Sequence, residues 1–475
     1  MLFSSQIFMY CFLPALLLLY FPCRKTAWRN AVLLAFSLLF YGWGKPVNLL
    51  LMFGVVGVNY IAGRLMGATR KTGARKLYLL AAVALSLSAL GFFKYAGFFT
   101  EIVNWIPGVN LPVPRIELPL GISFFTFQAL TYSVDVYRRD VQSQRSFFKV
   151  LLYVSLFPQL VAGPIVQYAD VDAQLDCHPS SAEEICDGVF RFAVGLGRKV
   201  LLADTCYTAA QYFLNAEASS RTVLGAWMGM IFFAMQIYYD FSGYSDMAIG
   251  LGHIFGFTFR ENFDYPYMSL SATEFWRRWH ISLGTFFREY VYIPLGGNRT
   301  HPIRNLFVVW FLTGLWHGAS WNFVIWGLYY GVLIFIERKA LFPLYKKIGA
   351  LPSRIFQVVY MFFVTVIGWT IFYFEDGLSF ARHIGELFGA GGLPFTSVTH
   401  SAYLRGHIFL LGAAVLLAFP LVPKLLRRIN GICATENGQY VMRRVAQMVF
   451  IVAVTFFSTA RLVGNTYSPF IYSNF

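Results

Sequence analysis

His317 lies in the segment TGLWHGASWN (Thr313–Asn322), the one polar patch in an apolar run from Asn305 to Ile336. Ionisable groups at membrane depth are rare and generally face a cavity or a pathway. An imidazole buried there is expected to be neutral and able to accept a proton, as a general base acting on an alcohol must. Gly314 and Gly318 leave room for a substrate to approach the backbone. A packed histidine hydrogen-bonded to a backbone carbonyl is the competing reading.

A second patch is EFWRRWHISLGTFFREY, Glu274 to Tyr290. At helical spacing Trp276, His280 and Gly284 share a face, and Glu274 and Arg278 form an i,i+4 pair. Arg277, Arg278 and Arg288 suit the phosphates of a cytoplasmic donor, with His280 at the mouth of the path. The alternative is a basic aromatic helix lying in the membrane interface. In YYDFSGYSDMAIG (Tyr238–Gly250), Asp240 and Asp246 point to a water-filled vestibule or to charge partners for nearby arginines. Asp135 sits at a helix end and reads as structural. The six cysteines show no metal-ligand spacing, and no HExxH, P-loop, GxSxG or Rossmann pattern occurs in a supporting context.

These residues must be positioned by membrane helices. Of 475 residues, 57% are hydrophobic and 13% charged, against about 25% charged in an average soluble protein. Apolar runs near the roughly 20 residues of a bilayer span recur throughout. They are continuous, unlike the alternating segments of a membrane barrel, so the expected class is an all-α polytopic membrane protein. The net charge of +15 does not indicate nucleic acid, because Lys and Arg collect in short loops between apolar runs. Basic loops at Arg24–Arg29, Arg64–Lys76 and Arg138–Lys149 fall two crossings apart, which places them in the cytoplasm and the N-terminus outside; the basic stretch Lys424–Arg444 followed by the apolar run Val445–Thr459 places the C-terminus outside as well. The apolar run Ile7–Phe21 has no basic residues before it and is expected to be a retained first span. Phe148–Tyr168 is interrupted by Pro158 and Pro164 and either spans or re-enters. One straight helix over Asn305–Ile336 would reach about 48 Å, against a core of about 30 Å. Basic flanks on both sides favour two shorter limbs meeting near Thr313–Asn322 inside the membrane. Residues 1–475 read as a single membrane domain of about eleven or twelve helices, some re-entrant.

TEFWRRWHISLGTFFREYVYIPLGGNR (Thr273–Arg299), YYDFSGYSDMAIG and GLWHGASWNFVIWG (Gly314–Gly327) resemble the membrane-bound O-acyltransferases. The branch is that of bacterial polysaccharide O-acetyltransferases of the alginate and peptidoglycan type. MLFSS at the N-terminus, LPLGISFFTFQ (Leu118–Gln128) and LFPQLVAGPI (Leu156–Ile165) extend the resemblance over essentially the whole chain. It implies a helical bundle around a central funnel, with His317 as the active-site histidine and His280 as a second histidine nearer the cytoplasm. It also implies a C-terminal aromatic tail whose tyrosine relays the acyl group; Tyr472 in PFIYSNF is the candidate, although Ser473 follows where the branch more often has an aromatic residue.

The expected function is transfer of acetyl from cytoplasmic acetyl-CoA to a hydroxyl, for O-acetylation of an exported or cell-wall polysaccharide in the bacterial inner membrane. Trp316, Asn322 and Asp246 would shape the site, and Arg277 and Arg278 would bind the donor, with no metal or bound cofactor. The acceptor would be reached directly or through an extracytoplasmic SGNH-type acetyltransferase or esterase. A transporter or flippase for the polymer or its lipid carrier is the alternative, weakened by the lack of duplicated halves.

Overall fold

The computed structural model describes residues 1–161, 163–421 and 436–464. The α-helices of more than four residues are α1 to α17 in chain order. After a π-helical start at Phe8–Phe12, α1 covers Leu13–Tyr20, α2 Thr26–Gly42, α3 Asn48–Ala68 and α4 Thr72–Val103. Next come α5 (Ile122–Arg138), α6 (Phe147–Ser155), α7 (Ala182–Gly197), α8 (Asp204–Leu214) and α9 (Val223–Ile254). Then follow α10 (Ala272–Arg278), α11 (Ile281–Phe287), α12 (Pro302–His317) and α13 (Trp321–Ile336). The chain closes with α14 (Ala350–Tyr373), α15 (Gly377–Leu387), α16 (Val398–Leu417) and α17 (Glu436–Gly464). No strand occurs among the described residues. By length and composition α3, α4, α14, α16 and Tyr440–Gly464 of α17 can each cross a membrane.

The expected break in the long apolar run is present. Helix α12 ends at His317, Gly318 is extended (φ −172°, ψ 158°), and α13 starts at Trp321. Each limb has 16 residues and so measures about 24 Å, short of a full crossing. The limbs pack against each other, and the extended turn needs glycine for space, because a Cβ at Gly318 would overlap the Phe323 ring.

Phe148–Tyr168 gives only α6 as a helix of more than one turn, followed by a single buried turn at Phe157–Leu160 and buried irregular chain over 163–167. Pro158 and Pro164 account for this, since neither can donate to a continuing helix.

The centre of the bundle is α9, buried along nearly all of Phe232–Ile254. It can lie against α7 because glycines face glycines: a Cβ at Gly188 would sit 2.7 Å from the Gly250 carbonyl oxygen, and one at Gly243 2.8 Å from that of Gly195. Between helices in lipid, where no hydrophobic drive separates partner from solvent, such backbone approach is a main source of association. The charges on α9 are neutralised at the same interface. Arg191 Nη2 and Arg198 Nη1 reach the two oxygens of Asp246 at 2.6 and 2.5 Å. Lys199 Nζ pairs with Asp240 at 2.7 Å and Asp204 at 2.8 Å. Arg198 and Lys199 stand on a π-helical turn, Arg198–Ala203, that joins α7 to α8. Of the two sequence readings for this patch, charge pairing is the one observed.

A Gly188→Val substitution should force the two helices apart and destabilise the bundle by roughly 1–3 kcal/mol, the usual range for overpacking. A thermal melt in detergent checks this; an unchanged midpoint would contradict the close approach.

Candidate active site

The segment Glu274–Tyr290 is not one helix, contrary to the sequence reading. It stops at Arg278, and His280 takes a left-handed conformation (φ 46°, ψ 52°) before α11 begins. The cause is a loop contributed from outside the motif. Phe263 bridges to Trp279, Asp264 N–H donates to the Arg278 carbonyl at 2.9 Å, and Ile281 N–H donates to the Asn262 carbonyl at 3.0 Å. These bonds replace helical ones and hold the kink that a non-glycine residue would otherwise avoid. The expected i,i+4 pair is present, with Arg278 Nε 3.0 Å from Glu274 Oε1.

Asn262 also orients His280. Its Oδ1 accepts from Ser282 N–H at 3.2 Å and from Ser282 Oγ at 2.9 Å, while its Nδ2 donates to Ser245 Oγ at 3.1 Å. An amide N–H can only donate, so the oxygen must face Ser282. His280 Nδ1, 3.2 Å from that same oxygen, therefore carries the proton, and Nε2 carries the lone pair. The ring is buried and stands 4.6 Å from the Phe241 ring, nearly perpendicular to it.

His280 lines a cavity of about 350 Å³ together with Thr273, Trp276, Gly284, Trp310 and Thr313. Arg277, Arg288 and Arg338 supply its positive charge. Arg278 is instead engaged by Glu274 and by Asp264 at 2.8 Å. Glu337, wholly buried, accepts from Ala272 N–H at 2.5 Å and Thr273 N–H at 2.9 Å. A carboxylate at these first-turn amides complements the helix dipole and fixes α10 against the end of α13, where Arg338 follows.

His317 is not among the cavity-lining residues and lies one helical turn past Thr313, which is. Its ring is 4.9 Å from Trp316, 4.8 Å from Trp326 and 5.5 Å from Phe372, in each case edge to face. Trp316 links the histidines, its ring being 5.7 Å from that of His280. Trp321, just after the break, stacks on Trp105 at 5.6 Å. The turn bearing His317 therefore sits toward the end of α4 opposite that helix's basic start.

Among the sequence candidates, His280, Trp316 and His317 thus form one group, and Arg277 lines the cavity beside it. Asn322 Nδ2 donates to the Phe372 carbonyl at 3.1 Å, tying α13 to the end of α14. Asp246 is held by two arginines, Arg191 and Arg198, and does not line the cavity. Tyr472 falls outside the described residues.

Three groups at the site were not singled out from the sequence: Arg338, Trp326 and Lys94. Lys94, buried on α4, donates to the Trp316 carbonyl and lies 3.4 Å from Ser123 Oγ. A lone lysine within the apolar run Leu77–Phe99 was the available signal.

A sequence profile of the membrane-bound O-acyltransferase family matches residues 129–375. The chain is 35% identical to a protein named "probable alginate O-acetylase AlgI" from Pseudomonas putida, over all of both chains. It is 33% identical to a peptidoglycan O-acetyltransferase of Helicobacter pylori, covering 85% of this chain and 82% of the relative. A teichoic acid D-alanyltransferase of Bacillus subtilis is 29% identical over 56% of this chain and 70% of its own length.

Asn262→Ala removes the acceptor shared by His280 and Ser282 and should lower stability by about 1–3 kcal/mol, the cost of buried donors left without partners. Asn262→Asp, which keeps the acceptor oxygen, should recover part of the loss. Equal melting midpoints for the alanine variant and the parent would refute the anchoring role.

Proposed function

The chain belongs to the membrane-bound O-acyltransferase family, and on that premise we propose that it transfers acetyl from cytoplasmic acetyl-CoA to a hydroxyl, for O-acetylation of an exported or cell-wall polysaccharide. It is a multi-pass membrane acyltransferase; the donor, the acceptor and the sidedness are our reading. The observation that carries this reading is the cavity with three arginines at its wall and His280 inside, ending one helical turn from His317. Among the described residues Arg277, Arg288 and Arg338 are in no ion pair, so their charge is available to an anionic ligand. A diphosphate is the chemical match for guanidinium groups in such a cluster.

The reaction we assign runs as follows. The phosphates bind at the arginines, and the thioester enters past Trp276 and His280. The imidazole of His317 takes the proton of the acceptor hydroxyl, whose oxygen attacks the thioester carbonyl carbon. The carbon–sulfur bond of the resulting adduct breaks, and the thiolate takes the proton back from His317, giving an ester and a free thiol. His280, with its lone pair on Nε2, assists donor placement. The aromatic enclosure of Trp316, Trp326 and Phe372 excludes water that would hydrolyse the thioester. The basic loops support a cytoplasmic donor side in the bacterial inner membrane. An acceptor approaching from the other side, directly or through an extracytoplasmic partner, meets the turn near Trp105 and Trp321. Residues 1–475 would act as one domain, in keeping with the full-length alignment.

Release of free thiol from acetyl-CoA by the purified protein tests the reading. His317→Ala should slow it by roughly two to four orders of magnitude; a rate equal to the parent's would remove His317 as the base. Arg277→Ala or Arg338→Ala should raise the donor KM about tenfold with kcat little changed, whereas Arg278→Ala should leave KM near the parent value. A KM effect confined to Arg278 would contradict the cavity assignment.

A further inference from the structure

We propose that Lys94 and Tyr95, consecutive residues of α4, are positioning residues that hold the broken end of α12 and so fix His317. The last carbonyls of any helix lack intrahelical partners, and inside a bilayer no water replaces them. At the end of α12 two such carbonyls are satisfied from α4. Lys94 Nζ donates to the carbonyl of Trp316, and Tyr95 Oη donates to that of Leu315 at 2.8 Å. Lys94 Nζ also lies 5.8 Å from the centroid of the Trp316 ring and 3.4 Å from Ser123 Oγ on α5.

The amine stands at the end of α12 whose carbonyls carry the negative pole of the helix dipole, and a nitrogen donor is the chemical match for them. Its contacts fall on the residue immediately before His317. Across the break, Asn322 and Phe323 hold the other limb to the end of α14. The turn is thus gripped from both sides, and α4 supplies the grip on the histidine's own helix. Lys94 is not among the residues that line the cavity. It acts through the Trp316 backbone, and the displacement it prevents is of a size that matters, since misplacing a catalytic group by about 1 Å can cost about a hundredfold in rate.

The kinetic arm of the test rests on the acyl-transfer reading; the structural arm does not. Hydrogen exchange by mass spectrometry on the purified full-length chain reads the peptide 313–322 directly. Lys94→Met should speed exchange there by about tenfold while peptides from α7 and α9 keep the parent rate. In the thiol-release assay its kcat should fall at least about tenfold with donor KM within about twofold of the parent. Lys94→Arg, which restores a cationic donor, should recover most of both readouts, and Tyr95→Phe should show a smaller exchange increase. The proposal is overturned if exchange in 313–322 is unchanged, if it rises equally throughout the protein, or if donor KM rises with kcat intact. A parent that releases no thiol refutes the acyl-donor reading instead, and the exchange result then decides the positioning role alone. If Lys94→Met does not accumulate, Lys94→Arg and Tyr95→Phe carry the test: parent-like exchange in Tyr95→Phe refutes it.

Discussion

Inside a bilayer every backbone amide and carbonyl must find its partner within the protein, and the site of this enzyme is built around a place where that rule is hardest to meet. Ending α12 at His317 exposes carbonyls that a continuing helix would have used. The chain meets the requirement with two side chains from a distant element, Lys94 and Tyr95 of α4, which take the carbonyls of Trp316 and Leu315. An unbroken helix would need none of these, but it would also have no turn on which to present an imidazole inside the membrane.

Charge in the bundle divides into two populations. On α7 and α9 the carboxylates of Asp240 and Asp246 are closed off by Lys199, Arg191 and Arg198, and glycine pairs bring the backbones close enough for these contacts. At the cavity the opposite holds: Arg277, Arg288 and Arg338 face open volume, while Arg278 on the same short helix is drawn into carboxylates. Neighbouring residues thus differ in fate: Arg278 meets Glu274 one turn back and Asp264 from the preceding loop, while Arg277 lines the cavity.

The features legible in the sequence were those set by local pattern or by length. Basic flanks on both sides of the 32-residue apolar run favoured two limbs over one span, and its polar centre marked the break together with His317. The Glu274–Arg278 pair followed from helical spacing. The kink at His280 did not, because nothing within the motif breaks the helix; Asn262, 18 residues earlier, does so by hydrogen bonding that only the folded loop creates. Asp264 diverts Arg278 for the same nonlocal reason. Lys94 was visible as an anomaly in α4, yet its partner is a backbone carbonyl 222 residues away, and backbone groups leave no signature in side-chain patterns.

That separation has a consequence for how the protein is made. At about 5–20 residues per second, the ribosome adds the stretch between Lys94 and Trp316 in roughly 10–45 seconds. Throughout that interval α4 carries an ammonium group whose eventual acceptor does not yet exist. Its long aliphatic stem allows the head to reach toward the interface in the meantime. The hairpin of α12 and α13, whose limbs are each too short to cross alone, then enters as a unit against helices already in place. Burial of the lysine is therefore a late event in biogenesis, completed only when the histidine's helix arrives.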